Sequence, residues 1–302
     1  MPIRRGDLVS TRSIKGTLDF GTQTAVAATL AGTITELAPV GTTVRRGGAL
    51  FRIDDEPVVL AYGKRPMWRP LGPGARGRDV AQLESNLVAL GYRTLTADES
   101  YTASTASTVR RWQRHLGVPD TGRVELGRIV YATGPLRIAA HLGGAGDRAP
   151  GPALAVTGTD RAVTLKLPAA DQVLAKTGRA VTVGLPGGEV VAGRVSSVVR
   201  APAGQGSGPE EALVTVSIAD QAKVAKLDES GVDVRFMLDE RKDVLTVPVT
   251  ALLALREGGY GVELLDGAES RVVAVQVGLF ADGQVEINGA GIVQGAQVVV
   301  PA

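Results

Sequence analysis

Leu71-Gly72-Pro73-Gly74-Ala75-Arg76-Gly77-Arg78-Asp79-Val80 opens residues 72–127, the one stretch of this chain with strong helical periodicity. Val80, Leu83, Leu87 and Leu90 recur at i, i+3, i+7 and i+10, which puts them on one face of a helix that Gly91 stops. Ala106, Val109, Trp112 and Leu116 repeat the pattern in a second helix closed by Gly117, with Ser104 or Thr105 as its expected N-cap. The polar loop from Arg93 to Thr102 joins them. Two short amphipathic helices make a module of roughly 50 residues, at the small end of domain size.

Everything around this module reads as β-structure. The chain has 302 residues, enough for two or more domains. It is 44% hydrophobic but only 4% aromatic, so its cores must be built from Val, Leu, Ile and Ala. Thirty-nine glycines beside abundant Val imply many short strands and tight turns. A net charge of +2 with no basic run leaves no electrostatic footprint for nucleic acid. The absence of cysteine removes disulfides and thiolate metal sites. No apolar run reaches the ~18 residues of a membrane-spanning helix, and no signal peptide stands at Met1-Pro2-Ile3-Arg4-Arg5-Gly6, so a membrane anchor is expected upstream.

Taken in order, Leu8 to Ile14 and Thr17 to Ala28 read as two strands broken near Lys15-Gly16. Ala31 to Asp54 reads as three strands separated by Gly turns, with Ile34, Leu37, Val44, Leu50 and Ile53 facing inward. Pro57 to Tyr62 is a further strand. Beyond the helices, Arg128 to Tyr131, Leu136 to Ala140 and Ala153 to Thr157 are strands, with a Gly/Pro turn region at Gly143 to Gly151. Ala162 to Leu167, Val181 to Leu185, Glu189 to Val199, Ala212 to Ile218 and Val232 to Leu238 suit a small closed barrel. Within it, Ala169 to Lys176 is expected as a short helix with Val173 and Leu174 facing in, and residues 203–209 as a flexible loop. Residues 243–302 carry the last strands, with hairpin signals at Gly258-Gly259 and Asp282-Gly283.

The helical stretch resembles a type 1 peptidoglycan-binding domain. Gly77, Asp79-Val80, Leu83, Leu87, Leu90-Gly91-Tyr92, Tyr101, Thr105, Val109, Trp112-Gln113, Leu116-Gly117 and the Asp120-Thr121-Gly122 turn carry that resemblance; Arg123 to Gly127 stands where the family has a third helix. Residues 31–54 resemble half of a biotinyl/lipoyl fold, and the close Gly289-Ala290-Gly291 to Val298-Val299-Val300 resembles that of membrane-fusion (periplasmic adaptor) proteins of the HlyD/MacA type. The chain is thus similar to an actinobacterial-type efflux adaptor with an inserted wall-binding module. The fold expected is mainly β and multidomain. A membrane-proximal β domain spans 1–22 plus 246–302, a lipoyl-like sandwich hybrid 23–66 plus 128–160, the helical module 67–127 and a β-barrel 161–245. This scheme requires segments 31–54 and 128–157 to join in one sandwich.

The resemblance implies a non-enzymatic adaptor on the extracytoplasmic face of the membrane of a thick-walled bacterium. Its partners would be the permease of an ABC exporter and peptidoglycan, with rings of copies as an open alternative to a single copy. Stacked β domains would hold the module at a fixed height, as a link to the wall or as the exit duct. No cofactor is expected: no modifiable hairpin Lys is present for a lipoyl-type carrier. The other reading is a cell-wall-binding accessory of a peptidoglycan hydrolase system, which would call for paired carboxylates or a metal site.

Specific chemistry is sparse. Gly72-Pro73-Gly74-Ala75-Arg76-Gly77 spells G-x-G-x-x-G, but Met67-Trp68-Arg69-Pro70 precedes it, no βαβ unit is expected around it, and Pro73 lacks an N–H. His115 and His141 are far apart without a metal-ligand motif. Asp54-Asp55-Glu56 is a paired-acid candidate at a strand end, where solvated turn residues are normal. Trp112 sits at core spacing. For wall contact the candidates are Tyr92, Tyr101, Arg110 and Gln113: tyrosines offer an apolar face with a hydroxyl, though Tyr92 and Tyr101 equally suit support of the fold, and Arg pairs with carboxylates or phosphates. Arg110, Arg111 and Arg114 equally suit a solvated helix face.

Overall fold

The computed structural model describes residues 1–93, 95–200, 211–227, 229–266 and 269–300, so the expected loop at 203–209 lies outside the described residues. The chain divides into two compact units, Met1–Asp19 with Val163–Ala302, and Phe20–Ala162.

In the first unit, β1 (Arg4–Asp19) runs unbroken through the expected interruption. Gly16 is not a break but a point of close packing: a Cβ there would stand 2.7 Å from Val163 Cγ1. The four residues after Asp19 separate β1 from the second unit's β2 (Thr24–Leu37) instead.

The second unit continues with β3 (Thr43–Val44), β4 (Ala49–Ile53), β5 (Glu56–Tyr62), α1 (Arg78–Ala89), α2 (Ala103–Leu116), β6 (Ile129–Ala132), β7 (Leu136–His141) and β8 (Arg148–Thr157). Segments 31–54 and 128–157 share one seven-stranded sheet in the order β3-β7-β8-β2-β4-β5-β6. The last strand, β8, begins at Arg148, within the stretch expected as a turn. Ile34, Val44, Leu50 and Ile53 are buried in its core with Ile138 and Leu154, and Leu37 packs against them half-buried. Asp54 and Asp55, at φ 49° and 67°, form the two-residue turn between β4 and β5.

One pair in this sheet differs from the rest: β5 and β6 run parallel, with Val59 opposite Ile129 and Tyr62 opposite Ala132. Parallel neighbours need a long crossover, and here the crossover is the whole helical module. A β-α-β connection therefore does surround the G-x-G-x-x-G stretch, against expectation. It is no phosphate cradle, because its amides are committed: Gly74 N donates to Tyr101 O, Ala75 N to Gly72 O and Gly77 N to Glu99 O.

Side chains of β5 and β6 alternate between two cores, as period-2 geometry requires. Val58, Leu60, Val130 and Ala132 face the sheet's own core. Val59, Ala61, Ile129 and Tyr131 face the helices, packing with Leu71, Val80, Leu83, Leu87, Val109 and Trp112. The buried Asn86 of α1 seals the joint: its Oδ1 accepts from Tyr62 N at 2.8 Å and its Nδ2 donates to Tyr62 O at 2.7 Å. Leu90, expected in the helical core, is 37% exposed; it abuts Gly47 of the sheet domain instead. The second helix is capped not by Ser104 or Thr105 but by Thr102, in a reciprocal box with Thr105.

Returning to the first unit, β9 (Ala162–Leu167), β10 (Ala180–Gly184), β11 (Val190–Arg200), β12 (Ala212–Ile218), the short α3 (Gln221–Val224) and β13 (Ser230–Pro248) follow. β1-β9-β12-β11-β10-β13 closes on itself through the β13–β1 pair, making a barrel around Leu18, Val163, Val183, Val214 and Phe236. Its closing strand β1 was expected in the terminal domain. Ala169–Leu174 is a 3₁₀ helix in which Leu174 is buried and Val173 66% exposed; adjacent residues at three per turn cannot both face in. The long β13 continues past the barrel into a last core of Ile3, Val247, Val262, Val285 and Val298. That core is completed by β14 (Leu252–Ala254), β15 (Tyr260–Asp266), β16 (Glu269–Ala281), β17 (Gln284–Asn288) and β18 (Gln297–Val298).

Two expectations follow. Asn86→Ala strips both partners from the end of β5 and should destabilise the second unit by about 1–3 kcal/mol, the range for orphaned buried polar groups. Hydrogen exchange should quicken in α1 and in β5 together; faster exchange in α1 alone would show that the joint carries no coupling. The second concerns Asp79, whose carboxylate is buried against Arg69 at 2.7 Å. Its hydrogen bond to Arg69, ahead of the opposing effect of burial, holds its carboxyl below the ordinary value. A depressed folded-state value stabilises above the unfolded value and is lost as pH falls. Stability should therefore drop below about pH 4 in the native chain, and Asp79→Asn should flatten that acid limb in urea titrations run from pH 6 to 3.

Candidate functional site

Two places in the second unit merit attention, the surface of the helical module and a cleft in the sheet domain.

On the module, the four predicted contact residues separate into two groups. Tyr92 follows α1 and is half-buried; its hydroxyl lies 2.6 Å from His115 Nδ1, its ring centroid 5.8 Å from that of His115, and the Arg111 guanidinium stands 5.9 Å over its ring. Burial raises the Tyr92 hydroxyl above its ordinary pKa, with Arg111 opposing. Tyr101, Gln113 and Arg110 converge elsewhere, on the 121–123 turn. Tyr101 is 3% exposed and its hydroxyl donates to Gly122 O at 2.8 Å. Burial pushes that hydroxyl far up. Gln113 is 6% exposed; its Oε1 accepts from Gly122 N and its Nε2 donates to Arg123 O at 2.7 Å.

Tyr101 and Gln113 are therefore pins of the fold and not surface contacts, because their polar atoms already hold the turn. Arg110 is exposed, its Nε lying 3.1 Å from where a Gly122 Cβ would stand. Arg114 pairs with Asp120 at 2.7 Å. Trp112 is buried, as its spacing implied.

The helices are locked by a carboxylate that the sequence reading passed over. Glu84 is 1% exposed, accepting from Thr105 Oγ1 at 2.7 Å and from Asp98 N at 2.8 Å. Burial, the largest influence, raises its carboxyl above the ordinary value. Two other groups weighed for chemistry are spent on structure. Asp54 Oδ1 caps Thr33 N at 2.9 Å, and Glu56 pairs with Arg128 at 2.6 Å. His141 lies 2.8 Å from Ala38 O through Nε2.

Trp68 was also missed as a surface group. It is 53% exposed, with Arg69 5.9 Å from its ring. In a chain with 4% aromatics, a Trp outside both helical periodicities was the available signal. The cleft had none: it measures about 520 Å³ and is lined by residues as distant in sequence as Thr24, Met67, Val130 and Val156.

Comparison with known proteins adds three findings. The family described as "Putative peptidoglycan binding domain" matches residues 76–126. No curated protein matches. Among solved structures, MacA from Actinobacillus actinomycetemcomitans is similar over 100% of this chain and 99% of its own, at 14% identity and a TM-score of 0.55. A MacA-MexA chimera containing the Pseudomonas aeruginosa MexA α-hairpin domain is similar over 99% of each chain, at 16% identity and a TM-score of 0.50. The chain thus has the multidomain, mainly β fold of MacA, and residues 76–126 form within it a small helical module that matches the peptidoglycan-binding family model.

Proposed function

We propose that the chain is a non-enzymatic extracytoplasmic adaptor subunit of a membrane transporter, an ABC-type exporter, and that its helical module touches the peptidoglycan of the cell wall. The observation that carries this reading is the likeness to MacA over the full length of both chains, with the helical module fixed between parallel strands. The spent state of the acidic candidates supports a role in positioning over one in catalysis.

For wall contact the residues proposed are Tyr92, Arg110 and, newly, Trp68, which present aromatic faces and a cation at the surface. Sugar rings stack on aromatic faces, and stem-peptide carboxylates suit a guanidinium.

Two measurements test the proposal. With the chain as bait in detergent-solubilised membranes, an ABC permease should be enriched; enrichment of cytosolic proteins alone would remove the adaptor reading. Purified peptidoglycan should co-sediment the chain, and Trp68→Ala with Arg110→Glu should weaken retention about tenfold. These exposed sites are preferable to deleting the module, which would bare Val59, Ala61 and Ile129. Retention unchanged in the double variant would exclude this surface.

A further inference from the structure

The cleft in the sheet domain is a seam between two strand edges. Residues Thr24–Ala28 of β2 pair with β8 on one side; on the other side pairing with β4 begins at Ile34, just past Thr33, whose N and O are bonded to Asp54. The other edge belongs to β6, the last strand in the sheet order. Its carbonyls at Arg128 and Ala132 point toward β5, accepting from Val59 N and Gly63 N. By the alternation of a ladder, the backbone groups of Ile129 and Tyr131 point the other way, into the cleft.

The two edges meet at one end, where Gly127 stands so close to β2 that a Cβ would lie 2.4 Å from Thr29 Oγ1 and 3.1 Å from Leu30 N. From there β6 runs away from the contact while β2 runs toward it, and the seam widens to about 520 Å³. The core shows through the gap: Val26, Val130, Ala132 and Leu136 are only half-buried, while Val156 beside them is buried.

We propose that this seam accepts an extended, uncharged segment of a partner protein as an added strand. Three features select that occupant. Unpaired N–H and C=O groups on facing edges are both satisfied by a backbone that presents donors and acceptors on each side, which a compact apolar ligand lacks. Among the described lining residues none is an acid, a Lys, an Arg or a His; threonines and Tyr131 supply the polar side chains. Small β-prone side chains such as Val, Ala and Thr therefore fit, and a charged one would be desolvated without a partner. The length of β6, Ile129–Ala132, sets the added strand at about four residues, near 13 Å at ~3.3 Å per residue. Such a strand would run parallel to one edge and antiparallel to the other, and its inward side chains would cover the half-buried floor.

The test uses the full chain and a blocked pentapeptide, acetyl-Thr-Val-Thr-Val-Thr-amide, followed by hydrogen–deuterium exchange. At about 1 mM peptide, weak binding by the scale of single short strands, exchange should slow about tenfold in segments 24–29 and 129–133 and not elsewhere. The exposed Ala27 lines the edge, and Ala27→Lys should weaken binding about tenfold while leaving protection in the rest of the unit unchanged. The same peptide methylated on alternate amide nitrogens should not bind. No protection at that concentration would overturn the proposal, as would equal binding of the methylated peptide. Protection of the seam that rises with protein concentration in the absence of peptide would assign it to a second copy and overturn the partner assignment.

Discussion

The parallel contact between β5 and β6 is the constraint from which the second unit follows. Two strands lying side by side in the same direction cannot be joined by a turn, so the chain must leave the sheet and return. Here it leaves at Tyr62 and returns at Ile129, and the excursion is a folded module. Both faces of this pair pack against a core, which is the usual condition of parallel strands, although β6 stays half-buried at Val130, Tyr131 and Ala132. One face completes the sheet's core through Leu60 and Val130; the other forms the floor of the helical core through Val59 and Ile129. The module is therefore not tethered by a linker. Its own hydrophobic core includes residues of the sheet it stands on, and Asn86 adds hydrogen bonds across the same joint.

The first unit solves a similar problem along a strand instead of across one. β13 contributes Val232, Val234 and Phe236 to the barrel core, then Val247 to the last core without interruption. β1 accompanies it from Arg4 opposite Thr246 to Leu18 opposite Ser230, with register shifts between Gly6 and Leu8 and between Ser10 and Thr11. A two-stranded ribbon that belongs to two cores cannot bend freely between them without breaking its ladder. In both units, then, adjacent cores share backbone, and independent motion of either core would expose apolar surface at a cost of roughly 25 cal/mol per Å².

Much of this was legible in the sequence because it rests on local periodicity. The faces of both helices, the inward set Ile34, Val44, Leu50 and Ile53, and most strand positions follow from patterns a few residues long. What escaped were features decided by distant chain. Gly16 reads as a break locally, yet Val163 explains it. β1 reads as a partner of the C-terminal strands, yet Leu18 finishes the barrel. The β-α-β connection was missed because a crossover containing two helices and a Gly-rich loop has no single spacing that announces it. At the site, the residue types leave Tyr101 open to recognition or to support of the fold and offer Gln113 for recognition; the fold adds that Gly122 and Arg123 occupy their polar atoms.

That occupation bears on what kind of work this protein can do. Of its ionisable side chains that are displaced from ordinary behaviour, Asp79, Glu84 and Tyr101 each hold one part of the helical module against another. Their displacement follows from burial and from contacts within the module, as structural networks shift titration no less than active sites do. A rigid mount transmits position. The surface it presents is made of weakly specific parts, an exposed Trp, a half-buried Tyr and an unburied Arg, whose individual contacts are modest in water. If the module contacts peptidoglycan as proposed, retention would gain from several copies meeting several repeats, because linked weak contacts gain through effective concentration. Such gain requires a geometry that lets several sites engage at once, and in this chain the module's placement on its sheet is set by a parallel ladder of four residue pairs.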